Sequence, residues 1–402
     1  MQEKDKIFLR KISNLEKQIC CISNSLSNTW NIFGNSETNP VTNFIGTIDD
    51  NSLSFRVNNE KSGLIQNNSP WNTFFGYRAG NLSTAGINCA FGWGALASNI
   101  LGDSNCAFGL SALGLATSSE NIGVGYGAGA KLTNHRNTLI GTGCATNSVD
   151  AFENTAVGNY SMLANRQGSN CVAIGSSALR GNVKGINNVA VGIISLTQNT
   201  TNIDSISVLN GGTGYTTASV IISAPNVAAD PNNNSLQATA TAVISSGSIV
   251  DIVMTEKGKG YTNITDAYNT GVTATIVGDG TGAVLQVNLK SGEYNTAVGS
   301  ASLATNLTGQ YLTAIGYGAG SAITSGDYNV VIGANNGLSI NGLSNRIIIS
   351  DGQGNIRVSV DNNGVVTLGT VAPEYADNAA AILGGLTVGS FYRTGDLVKI
   401  VH

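Results

Sequence analysis

The stretch "NTAVGNYSMLANRQGSNCVAIGSSAL" (154–179) states nearly the same thing twice: NTAVG is answered by NCVAIG, and YSML by SSAL. Moving outward, the pattern becomes a period. From residue 71 each unit has an N-x-x-x-G core, closing at Gly76, Gly92, Gly109, Gly125, Gly141, Gly158, Gly175 and Gly192, with spacings of 16 or 17. The series stops and then resumes at Gly299, Gly316 and Gly333, giving eleven units. A period this short marks a stacked repeat, in which each unit is one layer that buries its apolar side only against its neighbours.

Within a unit the residues sort by twos, as in a strand. Before the closing glycine stands a large apolar residue: Phe75, Phe91, Phe108, Val124, Ile140, Val157, Ile174, Val191, Val298, Ile315 or Ile332. The residue before that is mostly small, as at Ala90, Ala107, Gly123, Ala156, Ala173, Ala190, Ala297 and Ala314. The expectation is that Thr155 and Val157 face the interior of a roll and Ala156 a flat outer face, with Gly158 at the corner. A second short strand of the form x-x-[AS]-[LMG] is expected next, as in WGAL, LSAL and SSAL. Two strands and two turns in 16–17 residues make a two-sided roll. At about 4.8 Å per layer, eleven layers rise roughly 50 Å. The asparagines Asn72, Asn88, Asn105, Asn121, Asn137, Asn154, Asn170 and Asn188 read as stacked turn residues bonded to backbone.

Composition agrees with a mainly β, repetitive chain. Among 402 residues there are 51 glycines and 5 prolines, and only 11% are charged, against about 25% in ordinary globular proteins. The net charge of −4 gives no electrostatic basis for binding nucleic acid or an anionic membrane. No apolar run approaches the roughly 18 residues of a membrane helix. The opening "MQEKDKIFLRK" lacks the apolar core of a secretory signal.

The flanks have their own patterns. In residues 1–30, Phe8, Ile12, Leu15, Ile19, Ile22 and Leu26 recur at spacings of 3 and 4, the seam of a short coiled coil. Isoleucine at both seam positions favours three or more strands over two. That seam and the flat outer face both point to a parallel homotrimer. Residues 31–70 read as a neck, 71–200 as roll units one to eight, 201–291 as an inserted β domain, and 292–340 as units nine to eleven. Residues 341–402 read as a C-terminal hairpin and tip. Inside the insert, "NGGTGYTT" is echoed by "KGKGYTNI", which places Tyr215 and Tyr261 in equivalent positions. They are the candidates for a sugar-stacking platform, with a core role as the competing reading.

No catalytic constellation emerges, and the reading is of a non-enzyme without cofactor. The two histidines, His135 and His402, have no partner at metal-ligand spacing. Asp204, Asp251, Glu256, Asp266 and Asp279 fall in or near the insert, where turn and surface roles explain them. "GDGTG" (278–282) and "GKG" (258–260) open no helix and read as β-turns rather than phosphate loops. Six cysteines include no C-x-x-C. Cys89, Cys106 and Cys171 read as small buried residues following the asparagine, and Cys144 as a second-strand residue.

The units NTAVG, NCVAIG, NNVAVG and YLTAIG resemble the head repeats of trimeric autotransporter adhesins, over about 71–200 and 292–340. That resemblance implies a left-handed parallel β-roll in a homotrimer. "EYNTAVGSASLATNLTG" (293–309) is similar to repeats of bacteriophage tail fibres, and "YADNAAAILGGLTVGSFYRTGDLVKIVH" (375–402) looks like a terminal segment of phage fibre proteins. The adhesin family carries a secretory signal and a C-terminal membrane anchor that this sequence does not display. The resemblance therefore implies a virion protein, made in the host cytoplasm, that attaches the phage to its bacterial host. Its expected partners are itself, other virion proteins and a host cell-surface glycan or protein. A head fibre, capsid decoration or tail adaptor is the alternative, with a bacterial surface adhesin or a glycan-cleaving spike further off.

Overall fold

The structure, a computed structural model, describes residues 3–26, 34, 36, 38, 39, 41–225, 235–261, 265, 266, 269–369, 373–395 and 397–402. The chain separates into two compact units, 1–53 and 54–402. The first holds a helix, Glu3–Leu26. Along it Phe8, Leu15 and Ile19 are exposed and Ile12 is half-buried. The side chains of Ile22 and Leu26 lie outside the described residues.

In the second unit the repeat is a parallel ladder. Short strands of three or four residues, from Thr73–Phe75 to Val189–Val191, then from Thr296–Val298 to Ile347–Ser350, pair in sequence with each residue beside its counterpart one layer on. Ile347–Ser350 is a further parallel layer that the glycine period misses, because Ser350 stands where the closing glycine would be. Antiparallel strands finish both ends, Glu60–Ile65 against Thr73–Phe75 and Ile356–Val360 against Ile347–Ser350, within one 16-stranded sheet.

The faces of the strand are reversed from the expectation. Ala156 is buried, Thr155 is exposed and Val157 is half-buried. In every layer the middle residue points inward, including Phe74, Ala90, Ala107, Leu139, Ala173, Ala190, Ala297, Ala314 and Val331. The opposite wall explains why. It sends Leu96, Leu113, Met162, Leu179, Leu196 and Leu303 into the same space, all with no exposed surface. Two walls one layer apart leave no room for a large side chain from each, so the strand supplies the alanine. Where the strand residue is large the opposite wall is cut back. Phe74 faces Gly80, at which an added Cβ would sit 2.5 Å from the Phe74 ring. Overfilling a packed core in this way is costly.

The second strand does not form; that wall is a run of turns. Ser111 and Leu113 have φ of 55° and 49°, and Ser177 and Leu179 have 58° and 50°, so every second residue is left-handed. Hydrogen bonds there run both within a layer, Ala112 N–H to Gly109 O, and to the previous layer, Ser111 N–H to Trp93 O at 2.9 Å. The closing glycines do turn the corner. Gly158 has φ 132°, and a Cβ on it would stand 2.5 Å from Gly175 O in the next layer, so no other residue fits.

Buried asparagines tie layers together. Asn105 N–H donates to Asn88 Oδ1, Asn121 to Asn105, Asn137 to Asn121 and Asn154 to Asn137, at 3.0 to 3.1 Å. The next residue in the column is Cys171, not Asn170: its N–H donates to Asn154 Oδ1 at 3.0 Å. Asn170, with φ 56°, belongs to the left-handed position just before the column. Cys171 thus stands in for asparagine, and only Cys89 and Cys106 share the position after it. A second asparagine column, Asn165, Asn182, Asn199 and Asn306, lines the other corner, with Asn182 Nδ2 donating to Asn165 Oδ1 at 3.0 Å.

Val189–Val191 takes Thr296–Val298 as its neighbour, 107 residues on where 17 is usual. The intervening chain forms antiparallel pairs: Thr201–Thr213 with Thr281–Ser291, Ala218–Ile222 with Ala274–Gly278, and Thr239–Ser245 with Ser248–Glu256. They enclose a core of their own around Ile203, Ile206, Ile249, Ile252 and the two tyrosines. A helix, Asn378–Leu383, packs Ala381 with Tyr392 and Val401 near the C-terminus.

Candidate interaction surfaces

Reversal of the strand faces turns the large residues outward. Phe75, Phe108, Ile140, Ile174, Val298, Ile315, Ile332 and Ile349 are each 36% to 44% exposed, and Phe91, Val124, Val157 and Val191 are half-buried between them. In-register pairing stacks them into one column, with the Phe91 and Phe108 rings parallel at 4.8 Å. The column is contiguous, with one large apolar side chain per layer from Phe75 to Ile349, and a contiguous exposed apolar patch of this kind marks an interaction site. The residues two positions earlier, from Cys89 and Cys106 to Ile122 and Ile347, widen it on the same face. Parallel sheets are almost always covered on both faces. Here the turn wall covers one, and no described part of residues 54–402 covers the other.

The left-handed position before the asparagine column is a second surface. It carries an exposed ion-pair ladder, with Arg136 Nε on Glu120 at 2.8 Å and Nη1 on Glu153 at 3.1 Å. These contacts hold the guanidinium above its ordinary pKa. Further on, Tyr294, Tyr311 and Tyr328 stack with ring centroids 4.8 Å apart. Neither ladder stands out along the sequence. Both become visible when the residues preceding each position of the asparagine column are read down the period, with Leu312 holding that position after Tyr311.

Tyr215 and Tyr261 lie in the insert core, 4% and 0% exposed. The Tyr261 hydroxyl accepts from Ala238 N–H at 2.7 Å, and burial pushes its pKa up. A stacking platform needs an open ring face, which neither offers; their shared motif sets the core.

The carboxylates have local tasks. Asp279 accepts from the N–H groups of Thr216 and Thr217 at 2.9 Å and from the Thr216 hydroxyl, which holds it well below the usual carboxylate range. It closes the GDGTG turn. Asp204 pairs with Lys257 at 2.9 Å. Asp251 accepts from Ile252 N–H at 2.8 Å and Glu256 from Gly258 N–H at 3.4 Å, within the GKG bend. The Asp266 side chain lies outside the described residues. His135 sits near Phe152, ring centroids 6.3 Å apart, and His402 Nδ1 is 3.2 Å from Ile400 O.

Among the described residues no group of three or more His, Cys, Asp and Glu could hold a metal ion, and no helix is long and apolar enough to cross a membrane. Cys89 and Cys106 are free thiols aligned across adjacent strands. Burial raises the Cys89 thiol, with Cys106 adding to the effect. Burial pushes Cys144 up to about 11 and Cys171 up to about 12, which leaves both protonated and poorly nucleophilic.

No protein family, curated protein or solved structure matches the chain.

Proposed function

We propose that the chain is a non-enzymatic, homotrimeric fibre of a bacteriophage virion, a tail fibre, that attaches the particle to the bacterial surface. The observation that carries the trimer is the uncovered apolar column: a second and third copy would bury it. The exposed Phe8, Leu15 and Ile19 of the N-terminal helix fit the same symmetry, as a coiled-coil seam. The repeats resembling those of phage fibres and adhesin heads support the assignment to a fibre. Three copies raise the avidity of a weak single-site contact.

Adsorption competition tests the attachment reading. Purified protein at saturation is expected to block phage adsorption to the host. Absence of any block would contradict it and favour the head-fibre or adaptor reading. Release of soluble saccharide from host envelope would contradict the non-enzymatic reading.

A further inference from the structure

The insert leaves the roll and returns to it at one corner, and a cavity of about 290 Å³ opens there. Its lining comes from both parts: Asn202, Asp204, Lys257 and Lys290 from the insert, and Thr308 and Thr324 among those from the roll. That is space for about ten waters at roughly 30 Å³ each, or one pyranose ring. Two lysines would ordinarily point to an anion. Here each is already neutralised, Lys257 by Asp204 and Lys290 by Asp327, both at 2.9 Å. Asp327 is itself fixed by Gln310 N–H at 2.9 Å.

What remains is a charge-balanced wall of alternating donors and acceptors: ammonium, carboxylate and hydroxyl groups, with Leu307 as a small apolar element. Asn202 lies at this wall with Oδ1 buried and without a hydrogen-bond partner. A ligand matching this set carries several hydroxyls that donate and accept, no net charge and one apolar face.

We infer that this junction cleft binds a single neutral hexose. Hydroxyls donate to Asp204 and accept from Lys257 and Lys290, and the C–H face lies toward Leu307. The inference deepens the attachment reading, resting on it only for the source of the sugar, a neutral glycan unit of the host surface.

Saturation-transfer NMR on the full chain tests it, with free glucose, galactose, mannose and N-acetylglucosamine as probes and glucuronate and galacturonate as charged comparators. At least one hexose is expected to bind saturably, more tightly than either uronate. Thr308→Val and Asp204→Asn, which preserve side-chain shape, are each expected to weaken it about fivefold or more. Far-UV circular dichroism of both variants should match the parent. Lys257→Met provides a second exposed-side probe with the same expectation, should either variant misfold. No saturable hexose, tighter uronate binding, or unchanged affinity in the folded variants would each overturn the cleft. Failure here alongside a positive adsorption block removes the cleft and leaves attachment standing. Hexose binding without any block does the reverse.

Discussion

The roll and the insert are both built from alternating β sequence, yet they place their large side chains on opposite sides. In the insert, Ile203, Ile206, Ile249 and Ile252 of the strands are buried, each pair three residues apart and brought to one face by a β-bulge between them. In the roll, Val157, Ile174 and their counterparts face out while Ala156 and Ala173 face in. The difference lies in what faces the sheet. The insert's strands meet other strands, and the gap between them is filled by large residues from each. The roll's strands meet a turn wall that already contributes Leu96, Leu113, Met162, Leu179, Leu196 or Leu303 in the layers where the strand supplies alanine. Alternation therefore defines two faces, and the opposing wall decides which is the core.

The largest test of this contrast is the same substitution made in each region. Gly158→Ala places a methyl against Gly175 O at a φ of 132°, and should lower stability by about 3 kcal/mol or more. Gly247→Ala, in an insert turn at φ 78° with no heavy atom closer than 3.6 Å, should cost only about 1 kcal/mol. Urea unfolding of the two variants compares them, and equal costs would break the account of the corner. Next is Ala156→Leu, which overfills the space shared with the opposite wall and is expected to cost about 2 kcal/mol. If Val157 were the core residue instead, Ala156→Leu would be nearly neutral in the same assay.

Smaller effects test the polar columns. Asn137→Ala removes the acceptor for Asn154 N–H and donors to the Asn121 oxygen and to Ala151 O, for a loss of about 2 kcal/mol. Thermal melts of this variant and of the parent would show it. Tyr261→Phe keeps the ring in the insert core but leaves Ala238 N–H without its acceptor at 2.7 Å. About 1 kcal/mol is expected, seen as faster amide exchange at Ala238 while the roll amides keep their protection.

The period, the strand in each layer and the corner glycines were legible in the sequence because each is a local demand. A glycine recurs every 16 or 17 residues only if the backbone needs it there. The sense of the faces was not legible. Val157 and Ala156 alternate equally well under either assignment, and the deciding residue, Met162 or Leu179, belongs to a wall whose left-handed turns were read as a strand. Cys171 was misplaced by one because Asn170 beside it mimics the column, while the actual column position is set by the backbone bond to Asn154. The Gly-Tyr pairs of the insert read as a repeated unit, and both tyrosines fall in its core. A repeated aromatic can as readily be core as contact, and burial alone separates the two. The junction cleft had no signal at all, since Asp204, Lys290 and Thr324 meet only after the roll resumes.

Sedimentation equilibrium of the full chain tests the central claim most directly, namely that the outward column is an interface between copies. The account predicts a mass three times 41.2 kDa, falling to the monomer in an Ile140→Asp, Ile174→Asp double variant that keeps its far-UV spectrum. A parent chain sedimenting as a stable 41.2 kDa monomer would contradict it.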